Sequence, residues 1–348
     1  MKPKKNYAAW TVDSDSFPTS GSLASQIEHL LRYAVLAPST HNTQPWLFEA
    51  AGESELIISP NHTRALPEAD KTGSALYFSL GCALMNIMIA ANHFGLNVRH
   101  TVVTGEDTQP RIKLEFIPIP GHTDETAGEI SMLHAIKMRR SHKLPFKTGQ
   151  VSAELIARVS GLRYGDAHLN IVTGKDAIHE LAEVHFEATM KFADNPKFSK
   201  EVSSWMRPNH TARYDGMPGF TFGLPAPLAL LAKTMTSLSP KSVAVVAKND
   251  RRAILSSSGL GLISTLSQTP ESWINAGMLY QHIGLIFVTQ NVLLAPKAAA
   301  IQAGMGEKLT KQFVTSGYPQ LYFAFGYGDE VVRHSPRHGA KLTSAGAA

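Results

Sequence analysis

Residues 73–96 read GSALYFSLGCALMNIMIAANHFGL, and residues 276–296 read AGMLYQHIGLIFVTQNVLLAP. Each stretch begins beside a glycine and carries apolar residues at the spacing of one helix face. Each predicted helix ends at a residue that tolerates left-handed backbone geometry, Gly95 in the first and Asn291 in the second, before an extended segment. We therefore expect two similar units in one chain, a duplication indicated more by the order of the elements than by sequence identity.

The spacing of apolar residues predicts helices and strands on both sides of a boundary at residues 118–126, which are rich in Pro, Gly and polar residues. Helices are expected over residues 22–36, 73–94, 152–160, 175–192 and 273–290, with another that ends near Arg140 after a capping box of Thr126 and Glu129. Strands are expected over residues 55–59, 98–104, 111–117, 168–173, 259–267 and 321–327. Residues 1–20 are predicted to form a loose arm.

These elements predict an α+β fold with a mixed, mainly antiparallel sheet flanked by helices, built twice. The first half is expected over residues 20–120 and the second over residues 121–340.

The composition is that of an ordinary soluble globular protein, with 43% hydrophobic and 18% charged residues among 348. Cys82 is the single cysteine, so no disulfide can form within the chain, and a cytoplasmic location fits.

No signal-peptide core follows the N-terminal lysines, and the apolar stretch at residues 223–232 is short and carries prolines, so no membrane partner is expected. The net charge of +5 suits phosphate-bearing ligands, but no basic stretch interleaved with aromatics predicts a nucleic-acid partner.

The regular spacing fails from Glu201 to Pro227, a stretch with four prolines. Long irregular segments inside a compact chain are usually functional lids or disordered inserts. The segment has aromatic and apolar side chains that can bury area, which argues against disorder: Trp205, Met206, Tyr214, Phe220 and Phe222. We predict a lid segment at about residues 203–227.

Residues 37–46, APSTHNTQPW, follow the first predicted helix as a stiff polar loop in which Pro38 and Pro45 fix the backbone. Its hydrogen-bonding side chains are Ser39, Thr40, Asn42 and Gln44. Such a loop suits the polar edge of a flat ligand. On composition alone, a hydrogen-bonded turn capped by Trp46 explains the same residues and is the commoner case.

Residues 139–146, RRSHKLPF, lie at the predicted C-terminus of a helix. The helix dipole favours cations there by about 0.3–1 kcal/mol each, so these charges need no ligand. The functional alternative is the binding of an anion, because an arginine presents a planar fork to phosphate oxygens and a serine adds a hydroxyl.

Other chemical patterns are weak. Gly259-Leu-Gly261 lacks the third glycine of a dinucleotide fingerprint. His179 and Glu183 share a helix face, but no second histidine completes a zinc pair, so no metal is expected. No Ser-His-Asp pattern predicts hydrolysis.

Together, the two polar strings resemble the hallmarks of the nitroreductase flavoprotein family, APSxxNxQPW and RxSx(K/R)xxF. Ordinary members have the second string first and take the loop from a neighbouring subunit. The reversed order here is similar to that of single-chain, doubled, Acg-type flavin-binding proteins, and the resemblance covers about residues 25–338. Further strings that resemble this subgroup are RALPEAD at 64–70, Trp273 with Ala276-Gly277, Pro319-Gln320 with Gly326, and Ser335-Pro-Arg337.

The resemblance implies one non-covalently bound FMN per chain, since only one string of each kind is present. It implies that Arg139 and Ser141 meet the phosphate or ribityl tail, that Arg337 adds a second phosphate contact, and that Lys143 lies near the pyrimidine edge, where a cation stabilises the reduced ring. The first half contributes Pro38, Ser39, Thr40 and Asn42, and the turn Gln268–Thr269 offers backbone near the flavin N5. The place of a second PSxxN loop is expected to be taken by residues 205–227.

The same resemblance implies that the two halves pack like the subunits of a nitroreductase dimer, so a monomer is sufficient and a homodimer stays open. It implies an FMN-dependent oxidoreductase that reduces nitroaromatics or quinones, with NAD(P)H and a small electron acceptor as partners. Because the flavin supplies the chemistry, no catalytic side chain is required. The alternative is a protein that sequesters or stores flavin under a lid and has little or no reductase activity.

Overall fold

A computed structural model describes residues 4–104, 109–122, 131–230, 240–313, 315–329 and 333–344. Its helices are α1 (Leu23–Ala34), α2 (Ser74–His93), α3 (Met132–Met138), α4 (Ala153–Ser160), α5 (Lys175–Lys191), α6 (Pro196–Trp205), α7 (Pro240–Leu255), α8 (Pro270–Thr289), α9 (Ala299–Gln302) and α10 (Gly306–Gln312). Its strands are β1 (Trp46–Ala50), β2 (Glu55–Pro60), β3 (Leu96–Thr104), β4 (Pro110–Pro118), β5 (Arg163–Tyr164), β6 (Ala167–Val172), β7 (Met206–Arg207), β8 (Met217–Pro218), β9 (Gly259–Thr265), β10 (Val292–Lys297), β11 (Tyr318–Tyr327) and β12 (Leu342–Ser344).

The strands form two five-stranded sheets and one small pair, β7 with β8. The first sheet has the order β12-β1-β2-β4-β3, and its neighbours are antiparallel except for the parallel pair of β12 and β1. The second sheet has the order β10-β11-β9-β6-β5 and is antiparallel throughout. The predicted α+β fold with mainly antiparallel sheets is confirmed.

The duplication is visible in the topology. In the first half the chain runs β1-β2-α2-β3-β4 with the spatial strand order β1-β2-β4-β3, and in the second it runs β6-β9-α8-β10-β11 with the order β6-β9-β11-β10. The halves differ most between their first two strands. Residues 51–54 connect β1 to β2, whereas residues 173–258 connect β6 to β9 and contain α5, α6, the lid segment and α7.

The two long helices meet where each carries a glycine. A Cβ atom at Gly81 of α2 would lie 2.0 Å from the carbonyl oxygen of Ile274, and one at Gly277 of α8 would lie 2.0 Å from that of Phe78. Gly81 and Gly277 each lie seven residues after the first residue of their helix, so the contact is reciprocal. Only glycine permits the two backbones to approach this closely.

One hydrophobic core runs through both halves, because α2 and α8 contribute to the same cluster as the first sheet and strands of the second. Polar groups also join the helices, since the side-chain amide of Gln281 donates to Asn86 Oδ1 at 2.7 Å. By length and composition α2 could cross a membrane, a feature that the sequence analysis did not recognise, but 72% of that apolar window is buried inside the protein. We identify α2 as a core helix.

The ends of both long helices agree with the sequence prediction. Gly95 has φ 77° and Asn291 has φ 58°, so each helix ends in left-handed geometry before its next strand. The predicted capping box of Thr126 and Glu129 lies outside the described residues. Within them, Ser131 is the N-cap of α3, and its hydroxyl accepts the His134 N–H.

Three expectations were wrong. The predicted loose N-terminal arm forms a 3-10 helix at Lys5–Trp10. The predicted irregular stretch begins later than Glu201, because α6 continues to Trp205. The lid segment does not replace a second PSxxN loop: the counterpart of residues 35–45, between α4 and β6, is only residues 161–166, and the lid lies in the insertion between β6 and β9.

Because α2 and α8 cross so closely, any side chain at Gly277 should strongly destabilise the folded state. We expect Gly277→Ala to lower the free energy of unfolding by about 3 kcal/mol, because its methyl group would overlap backbone that cannot rotate away. Chemical denaturation followed by circular dichroism measures the change. Gly284→Ala in the same helix is the matched control, since its nearest neighbour is the flexible end of Leu294 at 3.2 Å, and it should unfold within about 1 kcal/mol of the parent. Equal stability of the two variants would contradict the close crossing.

Candidate anion and cofactor site

The loop at residues 37–46 owes its shape to unusual backbone angles. His41, Asn42 and Gln44 have φ values of 50°, 58° and 55°, and such left-handed angles are uncommon for residues other than glycine. The hydroxyl of Ser39 accepts the Gln44 N–H at 2.9 Å, which closes the turn. The loop is therefore held in one conformation that turns the Asn42 and Gln44 side chains into the protein, where both are buried.

Arg139 lies at the C-terminal end of α3 and is only 5% exposed. Its guanidinium donates to the carbonyl of Leu36, just before the loop, at 3.4 Å. Its Nε is buried without a hydrogen-bond partner among the described residues. Burial lowers the pKa of Arg139, while the neighbouring Tyr280 opposes this shift.

Arg337 reaches the same loop from the other end of the chain and is 4% exposed. Its guanidinium donates to Asn42 Oδ1 and to the carbonyls of Pro336 and Ala37, at 3.1 and 3.3 Å for the carbonyls. Its Nε also has no partner in the described part of the chain. Burial, together with the positive charge of Arg139, lowers the pKa of Arg337 to about 9.

Arg139 and Arg337 are therefore two buried cations that converge on residues 36–42 and donate to neutral oxygens. A buried charge is costly unless an opposite charge compensates it. A cavity of about 10 Å³, room for about one water molecule, lies beside Arg139 and is lined by Arg140, Tyr280, Gln281 and Gly284 among others. The two guanidinium groups have the charge and the donors that suit an anion with several acceptor oxygens.

Ser141 and Lys143 extend the site from Arg139. The Ser141 hydroxyl hydrogen-bonds the buried Tyr280. The Lys143 ammonium lies 4.1 Å from the centre of the Phe222 ring and 3.8 Å from Met217 Sδ. Burial lowers the pKa of Lys143 to about 8, although the negative charge of Asp250 opposes the shift. The Lys143 ammonium thus lies against largely apolar side chains of the lid segment.

The lid segment lies across these groups. The side-chain amide of Asn42 donates to Gly216 O at 3.0 Å, and the Gly216 N–H donates to Asn42 O at 3.3 Å. The amide of Gln44 donates to Tyr214 O at 2.8 Å. The lid therefore contacts the loop of the first half through its backbone and contacts Lys143 through its side chains.

The structure thus brings together Arg139, Ser141, Lys143 and Arg337 with the loop that contains Pro38, Ser39, Thr40 and Asn42. It does not bring the turn Gln268–Thr269 to them. The Thr269 hydroxyl caps α8 by accepting the Ser272 N–H at 3.2 Å. Tyr280, which contacts Ser141, lies 11 residues further along the helix, a rise of about 16 Å. The place of this turn beside the flavin N5 stays a prediction.

Sequence reasoning missed aromatic side chains at the site, among them Trp10, His334 and His41. Trp10 and His334 stack with ring centres 3.8 Å apart, and the Arg337 guanidinium lies 5.1 Å from the Trp10 ring centre. His41 holds a buried Nδ1 without a partner among the described residues, and burial together with the charge of Lys143 lowers its pKa to about 3. His41 occupies one of the two unspecified positions of the PSxxN motif, so no local sequence signal identified it as a site residue.

Comparison with known proteins gives partial matches. No family model matches the chain. The uncharacterized protein Rv3127 of Mycobacterium tuberculosis is 35% identical over 126 residues, 34% of this chain and 36% of that protein. The provisionally named NAD(P)H nitroreductase Rv3131 of the same organism is 25% identical over 198 residues, 56% of this chain and 54% of that protein. The chain therefore matches about a third of one relative's length and about half of the other's.

Solved structures match a similar share of the chain. The FMN and NADPH-dependent nitroreductase NfnB from Sphigopyxis sp. strain HMH covers 60% of this chain and 95% of its own, with 18% identity and a TM-score of 0.41. The FMN-dependent nitroreductase NfnB from Mycobacterium smegmatis in complex with NADPH covers 59% and 92%, with 15% identity and a TM-score of 0.38. TM-scores of this size carry no argument about what this chain binds. Sequence identity therefore relates part of this chain to a protein provisionally named as a nitroreductase.

Proposed function

We propose that this protein binds one FMN per chain and acts as an NAD(P)H-dependent oxidoreductase on a nitroaromatic or quinone acceptor. The observation that carries the proposal is the pair of buried arginines, Arg139 and Arg337, whose Nε atoms have no partners in the described residues. FMN ends in a phosphate dianion, and a dianion is the charge that two convergent guanidinium groups can compensate. The two arginines would therefore match the phosphate, the most highly charged part of FMN.

The other predicted residues have roles that agree with this placement. Arg139 and Arg337 would hold the phosphate, with the Ser141 hydroxyl beside it. The loop with Pro38, Ser39, Thr40 and Asn42 would form the wall that the first half contributes. When bound, FMN supplies the ring that accepts hydride and passes electrons on. Lys143 would hold a positive charge and a proton close to that ring.

The provisional name of the relative Rv3131 supports NAD(P)H as the reductant. Both halves of the proposed site come from one chain, so a monomer would be sufficient. A cytoplasmic location, where reduced nicotinamide is available, stays part of the proposal.

Storage of flavin is the second candidate function, and a specific observation favours it. The lid segment lies with Met217 and Phe222 against Lys143 and is tied to the loop through Gly216. This segment occupies the side of the site from which an ordinary nitroreductase would admit substrate, if the resemblance holds. A lid that seldom opens would retain flavin and exclude the nicotinamide.

The arginine pair predicts the stoichiometry and the affinity of FMN. We expect one FMN per chain in fully loaded protein, and a loss of about 2–4 kcal/mol in binding for Arg139→Ala or Arg337→Ala, since each change leaves part of a buried phosphate unpaired. Titration of apoprotein with FMN, followed by flavin fluorescence, measures both. Arg163→Ala is the matched control, because that exposed guanidinium instead donates to the carbonyls of Ser160 and Leu162. Two flavins per chain, or full affinity in both variants, would exclude this site.

Reduction of the flavin by a nicotinamide distinguishes the oxidoreductase from the storage protein. Anaerobic mixing of the FMN-loaded protein with NADPH or NADH should bleach the flavin absorption band within seconds if the protein is an oxidoreductase. Replacement of residues 208–224 by a short Gly-Ser bridge should speed this reduction and the release of FMN, because the lid contacts are lost. No bleaching over minutes in the parent, together with rapid bleaching in the bridged variant, would establish storage. An unchanged reduction rate in the bridged variant would show that the segment is no lid.

A further inference from the structure

The N-terminal arm, residues 5–10, lies between the lid segment and the C-terminal arm, residues 333–338. Asn6 is the buried residue of this arm, with 3% of its surface exposed. Its side-chain amide nitrogen donates to two lid carbonyls, Thr211 O at 3.0 Å and Arg213 O at 2.9 Å. Its own carbonyl accepts the N–H of Arg337 at 3.0 Å. One residue therefore contacts both the lid and the backbone of a proposed phosphate ligand.

The remainder of the arm is attached to the C-terminal arm rather than to the lid. The Trp10 indole N–H donates to Ser335 O at 2.9 Å, and its ring stacks on His334. The Arg337 guanidinium lies over the same Trp10 ring, 5.1 Å from its centre. Movement of the arm would therefore move the segment that holds Arg337.

We propose that Asn6 is a positioning residue that couples the lid to Arg337, so that opening of the lid loosens the anion site. This inference rests on the proposed function, in which Arg337 binds the FMN phosphate. Two hydrogen bonds join the Asn6 side chain to the lid, and a third joins the Asn6 carbonyl to the Arg337 N–H. Release of flavin and opening of the lid then become one event rather than two independent ones.

The chemistry requires an amide at this position. The two lid carbonyls are acceptors and need two N–H donors, which the asparagine side chain supplies from a single nitrogen. Aspartate has the same shape but presents only acceptors, so Asn6→Asp would leave both carbonyls unpaired and add repulsion. Because aspartate preserves packing, this variant separates the hydrogen bonds from the space that the side chain fills.

The test compares Asn6→Asp and Asn6→Ala with Asn209→Ala. Asn209 is the matched control because its side-chain amide donates to Leu224 O at 2.9 Å, a contact inside the lid that does not involve the N-terminal arm. Two measurements are made on the full chain: amide hydrogen exchange of apoprotein, and the rate of FMN release from the loaded protein. The first does not depend on FMN, so it decides the inference even if the proposed cofactor is wrong.

We expect both Asn6 variants to raise the exchange rate in residues 206–217 and in residues 333–338 together, and to speed FMN release by about tenfold or more, with Asn6→Asp the stronger, as loss of buried hydrogen bonds implies. Asn209→Ala should raise exchange in the lid alone. Faster exchange in the lid of the Asn6 variants with an unchanged C-terminal arm would overturn the coupling, as would FMN release within twofold of the parent. Failure of the parent to bind FMN, with coupled exchange still present, would reject the proposed cofactor and leave Asn6 as the link.

Discussion

The close crossing of α2 and α8 is the constraint on which the remainder of the structure depends. Gly81 and Gly277 let the two backbones touch, and the contact is reciprocal because each glycine meets the carbonyl five residues into the other helix. This crossing joins apolar residues of both halves in one core cluster, while a second cluster lies within the second half. It also brings the first-half chain beside the loop at residues 37–46 against Arg139 of the second half. The proposed cofactor site, which ordinary members of the resembled family would assemble from two chains, would thereby lie inside one.

The two buried arginine charges of that site destabilise the fold. Arg139 and Arg337 are buried with unpaired Nε atoms, and each lowers the pKa of a neighbour such as His334, whose pKa burial and the arginine charges bring to about 3. Two like charges in one place oppose folding until an anion arrives. The large shared core can carry this cost, because most of the surface of a chain of this length is buried on folding. We infer that the free protein is less stable than its anion-bound form, as linkage requires of any ligand that binds only the folded state.

Sequence reasoning succeeded where the signal is local. Helical periodicity with a terminal Gly95 or Asn291 identified α2 and α8, and alternation identified β4. It missed β10, whose residues are nearly all buried, because a short apolar run shows no period. The motif residues Arg139 and Arg337 were identified, but their partners were not. The contacts of Asn42 with Gly216 and with Pro336 span 174 and 294 residues, and no local pattern encodes a pairing at that distance. The position of the lid was misjudged for the same reason, since only the strand order shows which connection contains the insertion.

The way the lid is attached bears on the choice between the two proposed functions, turnover and storage of FMN. Its own apolar cluster is small, with Met206 and Met217 as the buried members, so little burial of apolar surface holds it closed. Its attachments are instead hydrogen bonds from Asn6, Asn42 and Gln44 to lid carbonyls, and the ion pair of Asp215 with Arg64 at 3.4 Å. Such polar contacts exchange with water at a net cost of about 1 kcal/mol each, whereas a lid closed by apolar burial would resist opening more strongly. A segment with this balance belongs to the least stable part of the fold, where local opening is expected without global unfolding. Of the two proposed functions, the attachment of the lid therefore favours gated turnover over permanent sequestration, and the hydrogen bonds from Asn6, Asn42 and Gln44 are contacts that must break when the lid opens.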